Sequence, residues 1–193
     1  MNKKYIFPLQ LFIILEKINV KIWVNQSLNF NNYYVYFSEK WFLLFIQVLK
    51  NEVFLTNSTL IEHSGVDMLQ VLNFKGNKWF YFFSRFQLIY NIYLYSVKTR
   101  LTLFFLVSKK QKQVKKIPSV DRYFLNANWL ERESSEMYGV FFFFKRDTRK
   151  LLLDYSKVEN PLLKDFPSEG FYNVFYNFFF NQVNTVKNEI VEL

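Results

Sequence analysis

The chain has 193 residues and a net charge of +9, with 25 Phe and 13 Tyr set against 4 Gly, 4 Pro and no Cys. Its length suits one domain with an appendage, and its 51% hydrophobic content argues against disorder throughout. The missing cysteines exclude disulfides, thiolate metal sites and Cys-ligated iron–sulfur clusters from this chain, and a single histidine, His63, leaves little material for a zinc site or a Ser–His–Asp triad.

Residues 1–37 are apolar patches broken by Asn-rich stretches and carry no assignable element. YIFPLQLFIIL is interrupted by Pro8 and Gln10, and WFLLFIQVL stops at Lys50, so neither reaches the roughly 20 apolar residues of a membrane span. Ser38 offers an N-cap for a helix over 39–51, whose near-continuous apolar content predicts burial on more than one face. Val53 to Glu62 reads as a strand, HSGVD (63–67) as a turn, and His63 as a surface or loop residue. Trp79 to Ser84, Phe86 to Val97 and Leu101 to Ser108 are rich in aromatic and β-branched residues and predict strands, with Lys98-Thr99-Arg100 as a turn.

KKQKQVKK (109–116) is too polar for core and reads either as a solvated loop or as a docking patch for an acidic surface, lipid headgroups or RNA. Pro118 closes it. A helix is expected from about Asn128, where Asn128 and Glu131 resemble a capping box, to Gly139 at the C′ position. On that helix Trp129, Leu130 and Met137 share a face with Glu133 in its middle, while Arg132 and Glu136, spaced i and i+4, can pair along the flank. Two readings stand: an exposed helix with ordinary charges, or a buried ionic knot in which Glu133 finds Lys145, Arg146 or Arg149.

VFFFF continues the apolar side, and KRDTRKLLLDY suggests a short turn and helix. Beyond Asp154, DYSKVENPLLKDFPSEGFYNV holds two prolines and reads as an irregular ribbon. Its Leu162, Leu163, Phe166, Phe171 and Tyr172 cannot be buried within the ribbon and need another surface, that of its own domain or of a partner. The expected organisation is an unassigned N-terminal extension (1–40), an α/β (α+β) domain with a small mixed sheet and flanking helices (41–150), and an extended, irregular C-terminal partner-binding segment (151–193).

The run Pro118-Ser119-Val120, then Ala127-Asn128-Trp129-Leu130-Glu131-Arg132-Glu133 and Glu136-Met137-Tyr138-Gly139-Val140, resembles the signature of the 30 kDa subunit of respiratory complex I, called NADH dehydrogenase subunit 9 where it is organelle-encoded. Lys145, Arg149, Leu151 and Leu152 continue the pattern. A second stretch follows with Asp154, Tyr155, Pro161, Leu162, Lys164, Asp165, Phe166, Pro167, Gly170 and Phe171. Weaker similarity runs upstream through Gly65-Val66-Asp67 and Phe86 to Asn91, so the resemblance covers residues 41–176. The chain departs from the family at Lys145-Arg146-Asp147 (His-Pro-Asp in the family), Glu159-Asn160 (Gly-His), Leu163 (Arg), Asn173 (Glu) and Phe175 (Arg).

The resemblance implies a scaffold subunit in the matrix-side arm of mitochondrial NADH:ubiquinone oxidoreductase, beside the 49 kDa subunit of the quinone site. It implies no cofactor in this chain, with flavin and iron–sulfur clusters in other subunits, and an active site only in the assembly. Trp129, Glu131, Arg132, Glu133, Glu136, Tyr138 and Gly139 would then be structural or interface residues. The skew towards residues with A/T-rich codons fits an organellar gene, and MNKK is not an Arg- and Ser-rich presequence, which fits synthesis inside the organelle. The +9 charge with interleaved aromatics keeps an RNA-binding or ribosomal role as the alternative. A stand-alone acid/base enzyme using Glu133 and Glu136 is a further one.

Overall fold

The computed structural model describes residues 32–37, 39–51, 57–69, 85–96, 98–107, 116–155 and 159–189. Strands β1 (Asn32–Phe37), β2 (Ser58–Asp67), β3 (Phe86–Leu94) and β4 (Thr99–Leu106) form one sheet in the order β1-β4-β3-β2. β1 runs parallel to β4 and the other pairs are antiparallel, so the sheet is mixed. Helix α1 (Glu39–Asn51) lies in the chain between the two edge strands and packs across the sheet. Its Phe42 ring sits 4.8 Å from Tyr90 and 4.9 Å from Phe105.

Alternation puts Leu88, Tyr90, Ile92 and Leu94 of β3 on the core face, opposite Phe105, Leu103, Leu101 and Thr99 of β4. α1 meets them with Phe42, Phe45, Ile46 and Leu49, one helical stripe. Trp41 and Leu44 stay exposed, so the apolar run of α1 is buried on one face and not, as its composition suggests, on several. The opposite face of the sheet carries a polar row across three strands. Thr102 Oγ1 donates to Asn91 Oδ1 (2.8 Å), and Asn91 Nδ2 donates to Glu62 Oε2 (3.2 Å).

β2 contains a bulge between Leu60 and Glu62. The extra residue switches the alternation, so Ser58 and Leu60 before it and His63, Gly65 and Asp67 after it all face inward. HSGVD is therefore strand, not turn. Its glycine marks a close approach: a Cβ on Gly65 would lie 2.6 Å from Cδ2 of Tyr138. His63 is likewise a core residue, 5% exposed, with its ring 4.2 Å from Tyr90 and 5.8 Å from Phe142. Burial pushes it down to about 3, so it is neutral across the physiological range.

Beside α1, helix α2 (Ala127–Tyr138) and the parallel pair β5 (Lys116–Pro118) and β6 (Phe141–Phe143) cover the β2 side of the same face. Among the described residues the chain then has no regular structure up to Phe171, and an antiparallel hairpin follows, β7 (Tyr172–Asn177) and β8 (Gln182–Lys187). The mixed sheet with flanking helices matches the expected α/β class, and the hairpin adds regular structure to a segment expected to be wholly irregular. β1 lies within the stretch read as an extension, so the sheet begins before residue 41.

Other boundaries shift for local reasons. The turn between β3 and β4 uses Tyr95, Ser96 and Lys98, the last in a left-handed conformation (φ 54°), and Thr99 and Arg100 already belong to β4. KRDTRKLLLDY forms no helix. The strand expected at Trp79 to Ser84, the cap at Ser38, residues 1–31 and the lysine loop up to residue 115 lie outside the described residues. Gly65→Val is expected to destabilise the chain by about 1–3 kcal/mol through overpacking against Tyr138. Urea denaturation checks this, and adding Tyr138→Ala should restore part of the loss.

Candidate functional site: a charged helix that pins the C-terminal segment

α2 packs through Ala127, Glu131, Ser134 and Tyr138, spaced i, i+4, i+7 and i+11, and the two small residues let it approach β2 closely. The buried face therefore does not follow the largest side chains. Trp129 is 62% exposed, with the Arg132 guanidinium 5.5 Å from its ring, and Glu133 is exposed. The carboxylate that enters the core is Glu131, with no exposed surface.

Glu131 accepts from Ser119 Oγ (2.5 Å), the Val120 N–H (2.8 Å) and Lys145 Nζ (3.1 Å), and the Lys145 side chain is itself 2% exposed. Burial pushes the Glu131 carboxyl above its ordinary range, and the Lys145 charge and the three hydrogen bonds pull it only part of the way back. The basic segment expected as a partner is thus the right one, but it meets Glu131 and not Glu133.

Glu136 and Arg132 do not pair with each other. Glu136 accepts the backbone N–H groups of Leu151, Leu152 (2.9 Å) and Leu153 (3.0 Å). Arg132 donates to the carbonyls of Arg149 (2.8 Å) and Lys150 (3.0 Å) and approaches Asp147 Oδ2 at 3.4 Å. Asp147 also takes the Arg149 N–H (3.0 Å) and its guanidinium (2.8 Å), which hold its carboxyl well below the usual range. These bonds explain the missing helix after Lys145: its main-chain donors and acceptors are satisfied by α2 side chains instead of by one another.

A third anchor lies at the end of β2. Asp67, its side chain fully buried, accepts from Arg85 Nη2 (3.0 Å), from the N–H of Leu69 (3.1 Å) and from the N–H of Lys164 (3.1 Å). Arg85 reaches on to Asp165 at 2.6 Å. Burial raises the Asp67 carboxyl, but Arg85 and the two N–H groups outweigh it and leave the group below its ordinary value. A cleft of about 230 Å³ opens beside α2; its charged lining is Arg132 and Glu136, which hold the segment, and Lys145, Arg149, Lys150 and Glu159. The Glu133/Glu136 pair needed for acid/base chemistry is not assembled, because both oxygens of Glu136 cap backbone while Glu133 faces outward.

Residues 35–172 match the family described as respiratory-chain NADH dehydrogenase, 30 Kd subunit. The chain belongs to that family. NADH-ubiquinone oxidoreductase subunit 9 of Paramecium primaurelia is 35% identical over 97% of this chain and 87% of its own length. The protein of the same description from Acanthamoeba castellanii is 40% identical over 48% of this chain and 45% of its own. Among solved structures, a chain of the membrane-bound sulfane sulfur reductase, an archaeal respiratory membrane complex, superposes with a TM-score of 0.61 at 17% identity, covering 83% of this chain and 85% of that one, which shows a shared fold.

The signature residues of this 30 kDa-type subunit divide by where they sit. Glu131, Arg132, Glu136 and Lys145 form the pins, and Tyr138 fills the space over Gly65. Gly139 ends α2 in the left-handed conformation (φ 65°), its N–H on the Ser135 carbonyl, with Asn160 packed where a Cβ would stand. Lys164 and Asp165 are the residues held by Asp67 and Arg85. Pro167 is buried, its carbonyl takes the Gly170 N–H at 3.0 Å, and Phe166 stacks edge-on with Phe171 at 5.2 Å.

Pro161 is half-buried, Leu162 donates its N–H to the Met137 carbonyl (3.2 Å), and the exposed Asp154 accepts Lys150 Nζ on its carbonyl. Tyr155 is exposed, with its hydroxyl on the Lys150 carbonyl at 3.3 Å. Trp129, Glu133 and Arg149 stand on the outside. The helix itself starts one residue earlier than expected, at Ala127, and Asn126 at its N-cap donates to the Leu60 carbonyl without capping. Glu131 therefore lies beyond the first turn, and no capping box forms. The contributions of Asp67, Arg85 and Asp147 are not readable from spacing, although Asp147 two residues before Arg149 is a local hint.

Glu136→Ala is expected to cost about 2–4 kcal/mol and to abolish hydrogen-exchange protection at Leu151 to Leu153, because it orphans their N–H groups. Glu133→Ala should stay within about 0.5 kcal/mol of the parent by the same measurement. Because Asp67 titrates below its unfolded value, its grip on Lys164 and Arg85 is present above the ordinary carboxylate range and is lost as pH falls through its lowered pKa. Limited proteolysis around Lys164 should accelerate only at acid pH, and Asp67→Asn should give the fast pattern already at neutral pH.

Proposed function

We propose that the chain is a non-catalytic structural subunit of the peripheral, matrix-side arm of mitochondrial NADH:ubiquinone oxidoreductase. In this reading its C-terminal segment, residues 151–193, docks against the 49 kDa quinone-site subunit and neighbouring subunits, and so supports electron transfer from NADH to ubiquinone. The flavin and the iron–sulfur clusters belong to other subunits, and the chain is active only within the hetero-oligomer.

One observation carries the reading: the pins hold the segment by its main chain. Glu136 and Asp67 take N–H groups and Arg132 takes carbonyls, while Leu152, Tyr155 and Leu162 remain 61%, 68% and 51% exposed. A ribbon held by its backbone presents its side chains outward, as a docking surface requires. Among the described residues no helix is long and apolar enough to cross a membrane. The RNA-binding alternative rests on net charge and interleaved aromatics, yet Arg85, Arg132 and Lys145 are engaged by internal carboxylates, and family membership leaves that alternative without support.

On native electrophoresis the chain should co-migrate with an NADH-oxidising assembly. Arg132→Ala should reduce that incorporation several-fold, while NADH oxidation by an artificial acceptor in the remaining flavin and cluster modules persists. Sedimentation of the chain with ribosomes after gentle lysis would overturn the proposal.

A further inference from the structure

Phe178, Phe179 and Phe180, at the turn between β7 and β8, are 81%, 96% and 72% exposed. The strands behind them are exposed on both faces: Val174, Tyr176 and Val183 on one and Phe175 and Val186 on the other are each about half exposed or more. A two-stranded hairpin with nothing among the described residues beneath it is marginal in water. This one is nonetheless fixed at its base, where the Asn188 N–H meets the Phe171 carbonyl (2.9 Å) and Asn188 Nδ2 meets the carbonyls of Glu169 (3.0 Å) and Gly170 (3.1 Å). The base is held and the tip projects.

The chemistry of the hairpin narrows what can cover it. From Tyr172 to Lys187 the one charged residue is Lys187, in a chain whose net charge is +9. Lipid headgroups and nucleic-acid phosphates are recognised through clustered cations, which this hairpin lacks. Aromatic anchors interspersed with amides, here Asn173, Asn177, Asn181 and Asn184, are instead suited to an uncharged protein groove lined by apolar side chains with main-chain groups at its rim. The family match stops at residue 172, where β7 begins, whereas the Paramecium primaurelia relative aligns over 97% of the chain, a share that cannot leave out the hairpin. Most of the hairpin therefore lies beyond the part of the chain that the family as a whole matches, within the stretch that this relative aligns.

We propose that the Phe178–Phe180 tip is an anchor that inserts into an uncharged apolar groove on another polypeptide of the same respiratory assembly. This rests on the subunit role argued above and adds a contact separate from the pinned ribbon at 145–167.

The chain has no cysteine, so Phe179→Cys introduces its one thiol at an exposed position, away from the core. In the intact purified assembly that thiol should react with a maleimide at least about tenfold more slowly than in the denatured chain. A benzophenone carried on it should cross-link to a different polypeptide. Adding Phe178→Ser and Phe180→Ser should lower the cross-link yield about tenfold or more, since each removes a large apolar surface that the groove would bury. Cross-linking to lipid or to a second copy of this chain, or unhindered maleimide labelling in the assembly, overturns the proposal. Failure of the chain to co-purify with the NADH-oxidising assembly is a different result, which overturns the subunit role itself.

Discussion

The structure depends on the pairing of α2 side chains with main-chain groups of a segment that has no secondary structure of its own. A ribbon of this kind leaves its N–H and C=O groups without ladder partners, and a buried group left unpaired costs about 1–3 kcal/mol. Glu136 alone serves three consecutive N–H groups, and Arg132 serves two carbonyls. Charged acceptors and donors make the stronger class of hydrogen bond. The segment from Lys145 to Leu153 can thus take whatever path the surface of the domain offers, because its geometry is set by side chains on a rigid helix.

The Glu131–Lys145 pair is the most deeply placed part of this arrangement. Two charges removed from water lose several kcal/mol of solvation each, and their mutual attraction repays this only when the remaining hydrogen-bonding capacity is used. Here the other bonds come from Ser119 and Val120, so the pair links three pieces of chain: the end of β5, the middle of α2 and the exit from β6. An apolar replacement of equal volume could match its stability. It would not fix which residue of the exit strand lies over α2, and with it the register of everything downstream.

The same device recurs at Asp67, which ties the end of β2 to Arg85 and to the ribbon at Lys164. The C-terminal segment is thereby held at two places well apart in sequence, around residues 147–153 and 164–165. Leu163 packs against the core and Pro167 is buried, whereas Leu152, Tyr155 and Leu162 face outward, and the hairpin extends the exposed surface further. A monomer in water would be poorly served by so many uncovered rings. Membership of a family of respiratory-complex subunits supplies the context in which they make sense.

Much of this is legible without coordinates. Strands at Phe86 and Leu101, the helix over 39–51, the end of α2 at Gly139 and the irregular ribbon all follow from alternation, helical spacing and the backbone limits of Gly and Pro, which act within a few residues. The motif spacing around Trp129 and Asp154 points to the family for the same reason, since a spaced pattern is a property of one dimension. What the one-dimensional pattern misjudges is which face of α2 turns inward. Large apolar residues suggest one core face, but Ala127 and Ser134 let the helix sit close to β2, and that rotation carries Glu131 inside and leaves Trp129 and Glu133 outside. Likewise HSGVD carries turn residues, yet its pairing with Phe86 to Tyr90 of β3 makes it a strand, and its glycine leaves room for the Tyr138 ring. Residue type determined that the chain carried charges needing partners; only the packing of α2 on the sheet decided which carboxylate each cation or N–H would meet, because that depends on the approach of surfaces distant in sequence.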